Sequence, residues 1–299
     1  MIWGSTKREL PFESLHYPKY FFSSIQNSPF DNFNNETGVK TGEYIIPNIV
    51  HFLFLEDHTN LSYVDAVCIL AAFKNQKPDK IYIHTNSNRL EGPHWEKLET
   101  TQGLNIELRE VSFPTDTLRR NITNIWYSRD IIKIYILMEH GGIFLDNDCY
   151  LVRSLDCFRK FEMTIGLNDK GLMGTQTIVA HKDARFLKLW LESYGFLNDS
   201  ELFCSDAGEV TLEILKQKPE LVHSVKMLFG FDDLSQMLYR QSTWKEWRMY
   251  HTIHLRIRRR KHEDNWWNYY WWPEFNDNNM ENYPMVFGEM ARDVYGTVQ

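Results

Sequence analysis

Residues 128–156 read SRDIIKIYILMEHGGIFLDNDCYLVRSLD, and the fold of the chain can be worked out from this stretch. It predicts an apolar helix on which Asp130 and Lys133 lie three residues apart and therefore share a face. Gly141 and Gly142 are expected to end this helix, because the residue after a helix often takes a positive φ that suits glycine. The apolar residues 143–145 then predict a short buried strand.

That strand delivers Asp146 and Asp148 at its carboxyl end. Two carboxylates so close to a buried strand would repel each other and lose hydration. A divalent cation removes both costs, and Mg²⁺ and Mn²⁺ prefer carboxylate oxygens together with substrate phosphates. The alternative is a solvated turn, in which Asp and Asn are common. The preceding helix, double glycine and apolar run favour the metal site.

These motifs resemble those of glycosyltransferase family 32, whose members carry a DXD motif and are related to the clostridial glucosylating toxins. The family pattern runs from Ser-Asp through an Arg and an apolar helix to Gly-Gly-Ile-Tyr-Leu-Asp-x-Asp, and then to Ser-Leu. Here Arg129-Asp130, the run 141–148 and Ser154-Leu155 match it. The chain departs from the pattern at three positions, with Arg129 in place of Ser, Lys133 in place of Arg and Phe144 in place of Tyr. Lysine keeps the charge but lacks the bidentate fork of arginine.

The resemblance implies an α/β fold of the GT-A (Rossmann-like) type, with a mostly parallel central sheet and helices on both faces. It implies a retaining transferase that moves a hexose or N-acetylhexosamine from a nucleotide-diphosphate sugar to a glycan, glycolipid or protein acceptor. UDP-galactose, UDP-N-acetylglucosamine and UDP-glucose are all compatible donors, and some relatives use GDP-mannose. The implied cofactor is Mn²⁺ or Mg²⁺, and its implied role is to offset the charge that develops on the departing diphosphate.

The resemblance also assigns site residues. The expected catalytic residues are Asp130, Asp146 and Asp148. The expected donor-binding residues are Phe52, Phe54, Asp130, Lys133, Gly142, Asp146 and Asn147. The expected metal ligands are Asp146, Asp148 and His254, and the expected acceptor contacts are Asp206 and Glu209.

Strands and helices alternate before the acidic pair, which predicts a largely parallel sheet. Residues 45–55 read as a central strand that resembles the opening strand of the family. His51 on this strand is either a hydrogen-bonded core histidine or a ligand. A helix capped at Asn60 or Ser62 follows, then a strand at 80–84 whose alternation suggests one polar face.

Further elements are expected on both sides of the acidic pair. Before it we predict a helix near 95–100 and a strand at 105–111. After it we predict an extended segment at 175–180 and a helix at 183–194. Thr175 stands where the family has Asn. Residues 1–43 are predicted to be an irregular lead-in and residues 44–299 a single catalytic domain.

Composition bounds the remaining possibilities. The net charge of −7 gives no reason to expect a nucleic-acid partner, and no apolar run is long enough to span a membrane. Four cysteines lack metal spacing, so they are free thiols or form one or two bridges. The family resemblance and four Asn-x-Ser/Thr sequons, at Asn35, Asn60, Asn121 and Asn198, suggest the Golgi or secretory lumen. A cytoplasmic location is expected if no anchor or signal was removed.

Two other functions fit the acidic pair less well. Haloacid-dehalogenase phosphatases also place Asp-x-Asp after a buried strand, but their motif continues to Thr or Val where this chain has Tyr150. A scaffold or sugar-nucleotide-binding protein could keep the fold without turnover, and the departures at Lys133 and Thr175 keep this reading open.

Overall fold

The protein is described by a computed structural model. It covers residues 19–55, 59–87, 89–112, 125–168, 171–195, 207–230, 232–257 and 275–296, with the side chains of 19–20, 125–127 and 207–210 excepted. The acceptor residues expected at Asp206 and Glu209, and most of the basic run that follows His254, lie outside the described residues or side chains.

Seven strands form the central sheet in the order β3-β2-β1-β4-β7-β6-β8. Their bounds are β1 Ile49–Phe54, β2 Lys80–Thr85, β3 Ile106–Glu110, β4 Gly142–Leu145, β6 Met163–Leu167, β7 Met173–Ala180 and β8 His223–Lys226. Only β7 among these seven runs against its neighbours, and the pairs β1–β2, β1–β4, β2–β3 and β6–β8 are parallel. A second sheet pairs β5 Cys149–Leu151 with β9 Thr252–His254 in antiparallel fashion.

Helices cover both faces of the large sheet. Their bounds are α1 Tyr63–Gln76, α2 Pro93–Thr100, α3 Ile125–His140, α4 Arg185–Ser193, α5 Ala207–Gln217, α6 Ser235–Arg240, α7 Asp277–Met280 and α8 Val286–Tyr295. One apolar core holds α1, α2 and α8, and a second, on the other face, holds α3 and α4. The predicted α/β architecture, with a mostly parallel sheet between two helical layers, is confirmed.

Two local predictions rest on backbone chemistry and are confirmed. Ser62 caps α1, and its hydroxyl accepts a hydrogen bond from the Asp65 N–H while the Asp65 carboxylate accepts one from the Ser62 N–H. Gly141 has a φ of +64° and its N–H donates to the Leu137 carbonyl, which ends α3 as the double glycine predicted.

The predicted polar face of the strand at 80–84 is wrong. From Ile81 to Thr85 every residue of β2 is buried. His84 and Tyr82 lie under the carboxyl end of α3, where the rings of both pack near the ring of His140. An alternating sequence pattern does not show whether the polar face of a strand meets solvent or a second layer of helices. Polar side chains can be buried when they have hydrogen-bond partners.

His51 is a core histidine in this structure. Its Nε2 lies 2.8 Å from the Gly141 carbonyl and its Nδ1 lies 3.0 Å from Nε2 of His84. A carbonyl only accepts, so Nε2 of His51 carries the proton, and Nδ1 accepts from His84. Burial lowers the pKa of His51 to about 3, and burial together with the neighbouring His51 lowers the pKa of His84 as well.

The free energy of unfolding is therefore expected to fall as the pH drops below about 6.5. Both histidines bind a proton near that pH when unfolded and resist it when folded, so each contributes a slope of about 1.4 kcal/mol per pH unit. Urea unfolding at pH 7, 6 and 5 measures this slope. His84→Gln keeps a donor for Nδ1 of His51 but does not titrate, so this variant should be less acid-sensitive. Equal slopes for both proteins would contradict the assignment.

Candidate active site

The acidic pair lies at the carboxyl end of β4, where the large sheet meets the small one. Asp146 directly follows β4, and its N–H donates to the Gln176 carbonyl on β7 at 2.9 Å. Asp148 directly precedes β5, and its carbonyl accepts from the N–H of Leu255, just after β9, at 2.8 Å. The two carboxylates therefore sit on different sheets, although only one residue separates them in the sequence.

Asp146 forms an ion pair with a buried lysine. Lys133 Nζ lies 2.7 Å from Asp146 Oδ1 and 3.6 Å from Asp130 Oδ1, and the side chains of Lys133 and Asp130 are each only 9% exposed. Burial alone would lower the pKa of Lys133, but the charges of Asp146 and then Asp130 outweigh it and raise that pKa. Lys133 is thus a charged group that holds two carboxylates at once. We call Asp130, Lys133 and Asp146 the Lys133 triad; its first two members are buried and Asp146 is half-buried.

Asp148 has a different partner. His254 Nε2 lies 3.2 Å from Asp148 Oδ1, because the pairing of β5 with β9 places Cys149 opposite His254. The sequence prediction that these two residues belong to one site agrees with this contact. The other ring nitrogen of His254, Nδ1, is buried without a hydrogen-bond partner among the described residues, and so is Nδ2 of the neighbouring Asn147.

The residues present fit a divalent cation with two protein ligands. Two ligands on adjacent corners of an octahedron with bonds of about 2.1 Å stand about 3 Å apart, close to the separation of Asp148 and His254. Within the described part of the chain, no three His, Cys, Asp or Glu side chains form a complete metal shell. The remaining positions would come from water and a diphosphate, as is usual for Mg²⁺.

Three of the expected donor-binding residues do not lie beside the acidic pair. Phe52 and Phe54 are packed in the apolar core with α1, and less than 2% of either side chain is exposed. This placement argues against direct contact with a ligand. Gly142 lies at the opposite end of β4 from the acidic pair, and a Cβ there would come within 2.6 Å of the Ile49 carbonyl. Its role in the structure is close packing against β1, so the donor contact expected of it is not supported.

Three further residues lie beside the acidic pair and were not singled out from the sequence. Gln176 is buried, its Nε2 donates to the Phe229 carbonyl at 3.0 Å, and its Oε1 lacks a partner among the described residues. Thr177 and Thr252 are buried and joined by a hydrogen bond of 3.0 Å. The available signal was a run of polar residues within an otherwise apolar strand at 173–180.

The described cysteines Cys149 and Cys157 are free thiols. The described helices include none that is both long and apolar enough to cross a membrane.

Comparison with known proteins supports sugar transfer. Residues 64–170 match the family model "Glycosyltransferase sugar-binding region containing DXD motif". A curated protein, Glucan organizing enzyme 1 of Cryptococcus neoformans var. grubii, is 24% identical over an alignment of 168 residues that covers 50% of this chain and 44% of that protein. The chain thus spans less than half the length of this relative.

Solved structures with a similar course of the chain are also glycosyltransferases. The galactosyltransferase LgtC, in complex with donor and acceptor sugar analogs, has a TM-score of 0.49 and 12% identity over 84% of this chain and 96% of its own. The glycosyltransferase GlyE of Streptococcus pneumoniae TIGR4 has a TM-score of 0.48 and 10% identity over 84% of this chain and 64% of its own.

The matched region spans α1 to β6 and so contains the Lys133 triad and both carboxylates. The family match and the observed sheet agree with the GT-A fold class expected from the sequence. Residues 64–170, which hold both carboxylates, are therefore similar to the sugar-binding region of glycosyltransferases that contain a DXD motif.

Proposed function

We propose that the chain is a metal-dependent, retaining glycosyltransferase that moves a hexose or N-acetylhexosamine from a UDP-linked donor to a glycan, glycolipid or protein acceptor. The observation that carries this proposal is the division of the acidic pair. Asp146 faces a buried ammonium, and Asp148 faces a histidine with a second nitrogen still unpaired among the described residues. A structural turn would not need two different sets of partners for adjacent carboxylates.

The reaction breaks the bond between the anomeric carbon of the sugar and a phosphate oxygen, and forms one to an acceptor hydroxyl oxygen. Asp148 and His254 would hold the cation, and Asp146 would be shared between the cation and the donor's ribose or sugar. When bound, a divalent cation supplies positive charge that offsets the negative charge of the departing diphosphate. Asp146 directly follows β4 and Asp148 directly precedes β5, so the donor's diphosphate and sugar would be held side by side where the two sheets meet.

The Lys133 triad orients the donor in this proposal. Lys133 holds Asp130 and Asp146 in fixed positions, so their carboxylate oxygens would be oriented to accept hydrogen bonds from donor sugar or ribose hydroxyls. The low exposure of Lys133 and Asp130 excludes much of the competing water around those two groups, which strengthens their charged interactions. We assign no protein base for the acceptor hydroxyl.

The test is release of UDP. We expect UDP from at least one of UDP-galactose, UDP-N-acetylglucosamine and UDP-glucose when Mn²⁺ or Mg²⁺ is present, and none after chelation. If a donor binds but no UDP is released with any acceptor tested, the scaffold alternative is favoured. The observation that supports this alternative is the Lys133–Asp146 ion pair. Phosphate release from simple esters, without UDP release, would favour a phosphatase.

The secretory lumen remains the proposed compartment, and the fold adds a constraint to it. The Asn35 sequon is buried, with Nδ2 donating to Glu162 Oε2 at 3.0 Å and to the Glu220 carbonyl at 3.1 Å. Its Oδ1 accepts from the Glu162 N–H at 2.9 Å. A glycan on Nδ2 would break these contacts and place a sugar in the protein interior.

We therefore expect folded protein from a secretory host to carry no glycan on Asn35. Thr37→Ala removes the sequon and keeps Asn35, and Thr37 itself is exposed. This variant should raise the yield of folded protein if part of the wild-type chain is glycosylated before folding. Glycopeptide mass spectrometry of the folded fraction measures occupancy. A glycan on Asn35 in protein that binds donor normally would contradict this expectation.

A further inference from the structure

The geometry of the proposed cation site depends on how the small sheet is fixed to the large one. Asp146 belongs to the end of β4, whereas Asp148 and His254 belong to the β5–β9 pair. A shift of the small sheet along β7 would move Asp148 and His254 together relative to Asp146. Something other than the short covalent link must therefore set this spacing.

A continuous line of buried side-chain hydrogen bonds joins the two sheets directly beneath the acidic pair. Cys149 Sγ on β5 lies 3.2 Å from Thr177 Oγ1 on β7. Thr177 Oγ1 lies 3.0 Å from Thr252 Oγ1 on β9, and Thr252 Oγ1 lies 3.1 Å from the carbonyl of Phe229, just after β8. Cys149, Thr177 and Thr252 are fully buried. We call these three side chains and the Phe229 carbonyl the hydroxyl chain.

The direction of the hydroxyl chain is determined at its end. The Phe229 carbonyl can only accept, so Thr252 donates its one hydroxyl proton there. Thr177 then donates to Thr252, and the Cys149 thiol donates to Thr177. Each of the two threonine hydroxyls thus donates one hydrogen bond and accepts one, so the line is satisfied in a single arrangement.

We infer that Thr252, through the hydroxyl chain, is a positioning residue that sets the distance of Asp148 and His254 from Asp146 and thereby the affinity for the cation. This inference rests on the proposed function. Thr252 stands two residues before His254, and its partner Thr177 pairs with Leu145, one residue before Asp146. The hydrogen bond between the two threonines therefore spans the same gap as the cation would.

The test compares Thr252→Val, Thr252→Ser and Thr164→Val. Valine keeps the shape of threonine but neither donates nor accepts, and serine keeps the hydroxyl. Thr164 is the matched control. Like Thr252 it is fully buried, but it lies on β6 of the large sheet, and its hydroxyl reaches the Phe158 carbonyl at 3.5 Å, away from the acidic pair.

The first measurement is Mn²⁺ affinity in the presence of UDP, by calorimetry on the folded proteins. We expect Thr252→Val to weaken Mn²⁺ binding by roughly tenfold or more, as for other residues that orient metal ligands. Thr252→Ser should stay near the wild type, and so should Thr164→Val. Unchanged affinity in Thr252→Val, or an equal loss in Thr164→Val, would overturn the inference.

The second measurement needs no ligand and separates this inference from the proposed function. Amide hydrogen exchange at 149–151 and 252–255 should be roughly fivefold faster in Thr252→Val than in Thr164→Val, because the small sheet loses a tie to β7. If the wild type binds neither Mn²⁺ nor UDP, the proposed function fails. The exchange rates alone then decide whether the hydroxyl chain holds the small sheet in place. Equal exchange in both valine variants would then show that the hydroxyl chain does not hold the small sheet.

Discussion

Replacing Asp148 by alanine is expected to abolish metal-dependent UDP binding and to slow UDP release more than about 100-fold, while the fold stays intact. A cation bound at a departing diphosphate contributes several kcal/mol to the transition state, and each 1.4 kcal/mol or so is a factor of ten in rate. Asp148 contacts His254 at the edge of the small sheet. The loss of its carboxylate therefore removes a ligand without removing a core side chain.

The comparison with Asp146→Ala makes this prediction specific. Asp146 is also the partner of the buried Lys133, so its loss should lower both donor binding and the free energy of unfolding. Asp183→Ala removes an exposed carboxylate outside the site and serves as the control. Calorimetry with UDP and Mn²⁺, together with urea unfolding, measures both quantities. Unchanged UDP binding in Asp148→Ala would rule out the assigned role.

The largest expected effect on stability is at the buried ion pair between Arg185 and Glu162. The Glu162 side chain has no exposed surface, and its carboxylate accepts from Nε and Nη2 of Arg185, from the Arg185 N–H and from Asn35 Nδ2. Arg185→Met leaves that carboxylate buried without its counter-charge. Such single removals cost about 3–5 kcal/mol, so we expect a loss of this size in urea unfolding at pH 7.

Two controls separate the buried charge from the lost packing. Adding Glu162→Gln to Arg185→Met removes the unpaired charge and should recover more than half of the loss. Lys245→Met breaks an exposed pair with Glu289 and should cost less than about 1 kcal/mol. A loss below about 1 kcal/mol in Arg185→Met, or no recovery in the double variant, would contradict the expected energetics.

The local features of the fold could be predicted because each depends on neighbours in the sequence. The αL position at Gly141 and the capping box at Ser62 both follow from chemistry within four residues. The apolar run 143–145 gave β4 and hence the position of Asp146 at a strand end. The contact between His254 and Asp148 agreed with the sequence analysis only because the family resemblance connected distant segments.

The sequence did not reveal that Phe52 and Phe54 lie in the apolar core, or that Gly142 packs against β1, because position on a strand does not give direction. A strand that leads into a pocket still turns alternate side chains into two helical layers, and both layers are apolar here. The same fact made the predicted polar face of β2 wrong. Alternation identifies two faces, but only the packed helices decide whether either face meets water.

The sequence by itself determined the acidic pair, the strand that delivers it and the helix that carries Asp130 and Lys133, because these depend on local spacing and backbone preference. Only the tertiary structure decided that Lys133 turns to Asp146, that Asp148 turns to His254, and that two buried threonines lie between the sheets that carry them. Those partners come from strands and helices far apart in the chain, and their contacts arise only when the two sheets pack together.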